Sequence, residues 1–182
     1  MDEIGLMRFV EPYYAERDEM HDLSHIRRFL RAARSISRRH HADDEVLTYA
    51  AYFHGIDEGK HKDALIKFMA SQGLPNNKAL KILRAASESR KSSVPKTIEG
   101  KVLHDAHLVV GGRTFLVANL LVTGALRGYP IGHTISYFED NVDGKFKCYL
   151  PENQEKYLKM ERFAHEFFRS LRENLTTEDN RP

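Results

Sequence analysis

"AAYFHGIDEGKHKDA", residues 50–64, decides the fold. Alanines and aromatics lead into His54 with the spacing of a buried helix, Gly55 follows at once, and a second helical pattern opens beyond Gly59. Glycine inside a helix costs about 1 kcal/mol relative to alanine, so Gly55 marks either a helix end or a lost side chain. Upstream, Asp43 or Asp44 caps this segment, "EVLTYAAYFHG", whose apolar residues nearly encircle it and predict burial. Downstream, "HKDALIKFMASQGL" places Leu65, Phe68 and Met69 on one helical face and stops at Gly73.

The same periodicity extends in both directions. Leu23, Ile26, Leu30 and Ala33 recur at spacings of three and four, predicting an amphipathic helix over 23–40. Asn76 or Asn77 opens "KALKILRAASESR", and Thr97 opens "IEGKVLHDAHLVVGG". A buried segment is expected at 114–126 and, after Gly128 and Pro130, a helix near 133–141. "VDGKFKCYL", 142–150, is the one stretch with strand character, or else a loop. Pro151 opens a last helix with Tyr157, Met160, Ala164, Phe167 and Leu171 in one stripe. The reading is an all-α, single-domain helical bundle over residues 1–175, with 176–182 a frayed tail.

Composition narrows the class. Of 182 residues, 41% are hydrophobic and 30% charged, an ordinary globular balance. The formal charge of +2 gives no reason to invoke nucleic acid. The single cysteine, Cys148, rules out an intrachain disulfide and suits a reducing, cytoplasmic setting. "TFLVANLLVTGAL" at 114–126 is too short to span a bilayer, so no membrane role is expected. Nothing in the pattern speaks to oligomeric state.

Ten histidines are the unusual count. His25, His54 and Asp105 fall inside otherwise apolar helices, where an ionisable group needs a partner or a metal. A histidine in such a place is most often a core residue, but histidines and carboxylates from separate helices also build metal sites. Arg27, Arg31, Arg34 and Arg38 form a stripe that reads as a solvated face. Arg28, three residues after His25, lies near the histidine's own face and is a candidate phosphate clamp through its guanidinium.

Taken in order, "HDLSHIRRFLRAA", "AAYFHGI" and "PKTIEGKVLHDAHLVVGG" resemble the HD superfamily of metal-dependent phosphohydrolases, chiefly its short single-domain members. The resemblance runs over residues 15–125. It implies an all-α fold and a divalent metal (Mn, Mg, Fe, Ni or Zn) held by two histidines and two aspartates. Carried over, His25 and His54 match the histidines and Asp105 the distant aspartate. The aspartate expected directly after the second histidine is replaced by Gly55. Relatives of this kind often continue as Asp-Ala-Asp-x-Leu-Asp, where this chain has "DAHLVV" with His107 and Val110. They also often carry another histidine upstream, in the stretch that reads "SESRKSSV" here.

Asp57 and His61 are the local candidates to replace the missing group. In a continuing helix Asp57 would face roughly 200° away from position 55, but a chain bent between Gly55 and Gly59 would swing Asp57 or His61 inward. The resemblance therefore implies a divergent phosphohydrolase acting on a nucleotide or other small phosphorylated compound. Its metal would be held weakly or not at all. The competing expectation is a non-catalytic protein that binds a ligand or partner in a degenerate site. Convergence of His25, His54 and Asp105 is the geometric expectation of both.

Overall fold

Helix α3 (Asp44–Phe53) is the axis of the bundle: every residue from Val46 to Phe53 is buried. The computed structural model describes residues 2–178, and helices account for most of them. The order is α1 (Glu3–Val10), a 3-10 turn (Glu11–Tyr13), α2 (Leu23–Ser37), α3, α4 (Glu58–Ser71), α5 (Asn76–Glu88), α6 (Ile98–Val109), α7 (Gly112–Leu126), α8 (Ile131–Asn141) and α9 (Pro151–Glu178). Among the described residues there is no strand. The 142–150 stretch is a turn and irregular chain.

Capping follows the residue types present. Asp22, Asp43 and Asp57 each accept backbone N–H bonds at the starts of α2, α3 and α4, and Thr97 does so for α6. Gly73, with φ 76°, follows α4 at the expected stop. The sequence reading missed α1, which lays Leu6 and Val10 into the core beside α3.

The main core joins α1 to α6, with Phe29, Leu47, Tyr49, Phe53 and Leu103 buried at its centre. A smaller core, with Val117, Ile135, Phe138 and Phe168, holds α7, α8 and α9 together. The 114–126 segment is less buried than expected: in α7 only Val117 and Gly124 are buried. One face of α7 packs on α9 and α8, while Leu120 and Thr123 line a cavity. Helix α9 runs on to Glu178, so the expected tail is helical through 178. Its last residues, 179–182, lie outside the described residues.

Two polar clamps fix helices around the future site. Glu88, at the end of α5, accepts from Thr97 N at 3.0 Å and Thr97 Oγ1 at 2.5 Å. A Cβ on Gly100 would lie 2.0 Å from the Glu88 carboxylate, so this glycine lets α6 start hard against α5. The Asp105 carboxylate, fully buried in α6, accepts from Tyr149 N at 2.8 Å, Leu150 N at 2.9 Å and Asn153 Nδ2 at 3.2 Å. Those donors belong to the entry of α9, where a negative charge also suits the helix dipole.

Candidate metal centre

Three imidazoles converge where α2, α3 and α6 meet: those of His25, His54 and His107. One ligand atom from each lies within 4.8 Å of the others. His25 sits in the first turn of α2, whose start Asp22 fixes by accepting from Ser24 N and His25 N. His54 is the residue that ends α3, with ψ turning to 122°. Its carbonyl accepts from the Tyr14 hydroxyl, which also reaches Tyr52 O at 3.0 Å. His107 comes from the last turn of α6. Phe29, fully buried, lies parallel to the His25 ring at 6.2 Å and packs against the other two rings.

Ser89 decides which nitrogens face inward. Its hydroxyl lies 2.6 Å from Ala86 O and 2.6 Å from His54 Nδ1. A hydroxyl has one proton, and a carbonyl can only accept, so Ser89 donates to Ala86 and accepts from His54 Nδ1–H. The Ser89 carbonyl likewise holds His107 Nδ1–H at 3.2 Å. Nε2 of both rings is left as a lone pair, the form a metal requires. Nδ1 of His25 is buried without a hydrogen-bond partner.

The surroundings are cationic. Burial, then the charges of His21, Arg28 and Lys91, push His25 down to about 4. Burial, then His25, Lys91, Arg17 and Arg90, push His54 down to about 3. His107 is also held well below its ordinary value, by burial first and then by His54, Lys91 and His25. All three are neutral near pH 7. Three neutral imidazoles are a complete protein ligand set for zinc with an open position, so the donor chemistry fits a divalent metal.

Asp105 is not in this group. Its oxygens are committed to α9, and His107, two residues further along α6, supplies the third ring. Two residues along a helix is roughly 200° of rotation, so the two side chains leave α6 on opposite sides. Gly55 adopts φ +81° and reverses the chain directly after His54. A Cβ there would meet Arg17 Nη1 at 2.9 Å. Arg17 donates to Gly55 O at 2.8 Å, with its guanidinium 4.5 Å from the centre of the Tyr14 ring. A guanidinium thus fills the space beside position 55.

Of the remaining candidates, Arg28 places its charge near His25, while Asp57 and His61 are engaged elsewhere. Asp57 is exposed and caps α4, accepting from Gly59 N at 2.9 Å. His61 packs edge-on to Tyr13 at 4.9 Å. Arg28 donates to Ser24 Oγ at 2.8 Å, sits over Phe115, and lines a neighbouring groove with Arg31 and Lys156.

Sequence reasoning also missed Lys91. It lines the cavity of about 80 Å³ beside His25 and His107. The residue as a whole keeps solvent contact, yet desolvation where its ammonium sits lowers its pKa. His104 helps to set this turn through Nε2, 3.3 Å from Lys91 O.

Solved structures share this architecture from end to end. An HD-superfamily hydrolase from Bacillus thuringiensis superposes with a TM-score of 0.71 at 16% identity, covering 96% of both chains. The fold is that of the HD superfamily. YpgQ of Bacillus subtilis, crystallised in complex with ADP, carries the same HD-type fold at a TM-score of 0.74 and 16% identity, over 95% of this chain and 97% of that one. A protein from Lactobacillus plantarum reaches 0.78 at 15% identity, over 96% and 97%. No family model and no curated protein matches the chain. In the HD frame, His107 stands at the second aspartate of the Asp-Ala-Asp pattern noted above. No described helix is long and apolar enough by itself to cross a membrane.

Proposed function

We propose that this HD-type protein is a divergent metal-dependent phosphohydrolase acting on a small phosphorylated compound. The observation that carries the reading is the presentation of His54 and His107 by Ser89 with both Nε2 lone pairs free, beside His25. His25, His54 and His107 would hold the ion. When bound, it would polarise a phosphoryl oxygen and lower the pKa of a water. Imidazole donors favour zinc, nickel or iron over magnesium, which prefers oxygen. With no anionic ligand, affinity is lower than in a site built from histidine and aspartate, while the positive charge left on the centre is larger.

The chain's own part is anion capture. Lys91 and Arg17 set positive charge near the rings, and neither cavity lining beside them includes an acidic residue. Phosphate is the oxyanion that suits such a pocket. The ADP bound by YpgQ supports a phosphorylated ligand for this fold.

A non-catalytic ligand-binding role is the second reading. It is favoured by Arg17 and Gly55, which leave no room for a carboxylate after His54. Metal analysis with turnover of para-nitrophenyl phosphate separates the two. The enzyme reading expects zinc-supported hydrolysis that chelation removes and that His54→Ala and His107→Ala abolish. Metal binding without turnover on any phosphoester supports the binding role. Turnover that survives both substitutions overturns the site.

A further inference from the structure

A second chamber of about 150 Å³ lies next to the cavity beside the histidines, between α7 and α8, and the two share His21, Lys91, Asn119, Leu120 and Val142 on their walls. The outer chamber adds Arg127 and Tyr129 from the α7–α8 turn, and Thr134 and Tyr137 from α8. Its wall is fixed where the helices touch: a Cβ on Gly124 would lie 2.2 Å from Thr134 Oγ1.

The donors here are unusually unbalanced. Lys91 has the Phe146 ring 5.8 Å away but no ion pair among the described residues. The Arg127 side chain makes neither a hydrogen bond nor an ion pair among them. Its charge reaches Asp18, whose Oδ1 takes His21 Nδ1 at 2.7 Å and Met20 N at 2.9 Å, but Arg127 and Asp18 make no ion pair among the described residues. Thr123 donates to Asn119 Oδ1 at 3.1 Å, which leaves the Asn119 amide N–H groups without a protein partner among the described residues. Two cations and an amide donor thus border one chamber with no acid on its wall.

We infer that this chamber binds the body of a compact phosphorylated compound carrying a second acidic group, with its phosphoryl group at Lys91 beside the histidines and the second acid at Arg127. The inference rests on the reading of the site as one for phosphorylated compounds, and it narrows the class. Both chambers together fall short of the roughly 300 Å³ at which pockets for drug-sized ligands begin, so a compact molecule fits better than a nucleoside.

Titration calorimetry on the full chain, zinc-loaded and chelator-treated, tests this. The probes are inorganic phosphate, glycerol 3-phosphate, 3-phosphoglycerate, propane-1,3-diol bisphosphate and ADP. One of the two diacids is expected to bind about tenfold more tightly than glycerol 3-phosphate, as one charge-assisted contact would give. Which diacid wins identifies the second group as carboxylate or phosphate. Arg127→Met, a change at an exposed residue, should remove that preference and leave glycerol 3-phosphate unchanged, whereas Lys91→Met should weaken every probe. Equal affinities in the wild type, or a preference that survives Arg127→Met, overturn the inference but not the phosphate site. ADP binding more tightly than both diacids overturns the compact ligand. Zinc binding with no affinity for any phosphate compound overturns both the inference and the proposed function.

Discussion

The Ser89 hydroxyl accepts from Nδ1 of His54 at 2.6 Å, so a residue at the end of α5 sets the tautomer of a ring at the end of α3. Ser89→Ala removes that acceptor and leaves a buried Nδ1–H unmatched. Metal affinity should fall about 10- to 100-fold, the usual cost of losing a partner that orients a ligand. The fold should lose about 1–3 kcal/mol. Zinc titration and thermal unfolding of the same sample measure both. Unchanged zinc affinity would remove Ser89 from its orienting role.

Gly55→Asp should not restore a metal cage. A non-glycine residue at φ +81° is strained by about 1 kcal/mol or more, and its Cβ displaces Arg17. Thermal shift in manganese and zinc is expected to show a lower Tm and no gain in metal response. A higher metal affinity at unchanged Tm would show that the site tolerates the carboxylate.

Asp105 and His107 should separate cleanly. Asp105→Ala leaves Tyr149 N, Leu150 N and Asn153 Nδ2 without their acceptor, a loss of about 3 kcal/mol or more, while the folded fraction keeps its metal response. His107→Ala should remove the metal response at much smaller cost to stability. Chemical denaturation paired with zinc titration checks this, and the reverse assignment of the two phenotypes would make Asp105 the ligand.

Acid should weaken the metal-free protein before carboxylates matter. An unfolded histidine titrates near 6.5, whereas burial holds His25 at about 4 and His54 at about 3. Between those values the unfolded chain binds protons that the folded chain refuses. The stability contributed by these neutral rings is therefore complete above about 6.5 and is lost as pH falls toward 4. Tm measured across that window should drop, and His54→Gln should flatten the slope.

Much of this molecule is legible in its sequence. The α2 stripe, the aspartate cap of α3 and the Gly73 stop follow from local chemistry, and the bundle follows from them. His25 and His54 could be read because each breaks an apolar pattern. The third ring was harder. Asp105 and His107 both lie in the same apolar run of α6, and spacing alone does not say which side of that helix faces α2 and which faces α9. Only the entry to α9, distant in sequence, settles it. Lys91 carries no signal at all, since an isolated lysine in a serine-rich turn reads as solvated. Helix α1 escaped because nothing in the short segment before Pro12 marks it.

The two-sided use of α6 has a dynamic consequence. Asp105 grips the backbone amides of Tyr149 and Leu150 from the helix that carries His107 to the site. Seating an ion on His107 steadies α6, and so should slow amide hydrogen exchange at Tyr149 and Leu150 without any ligand approaching them.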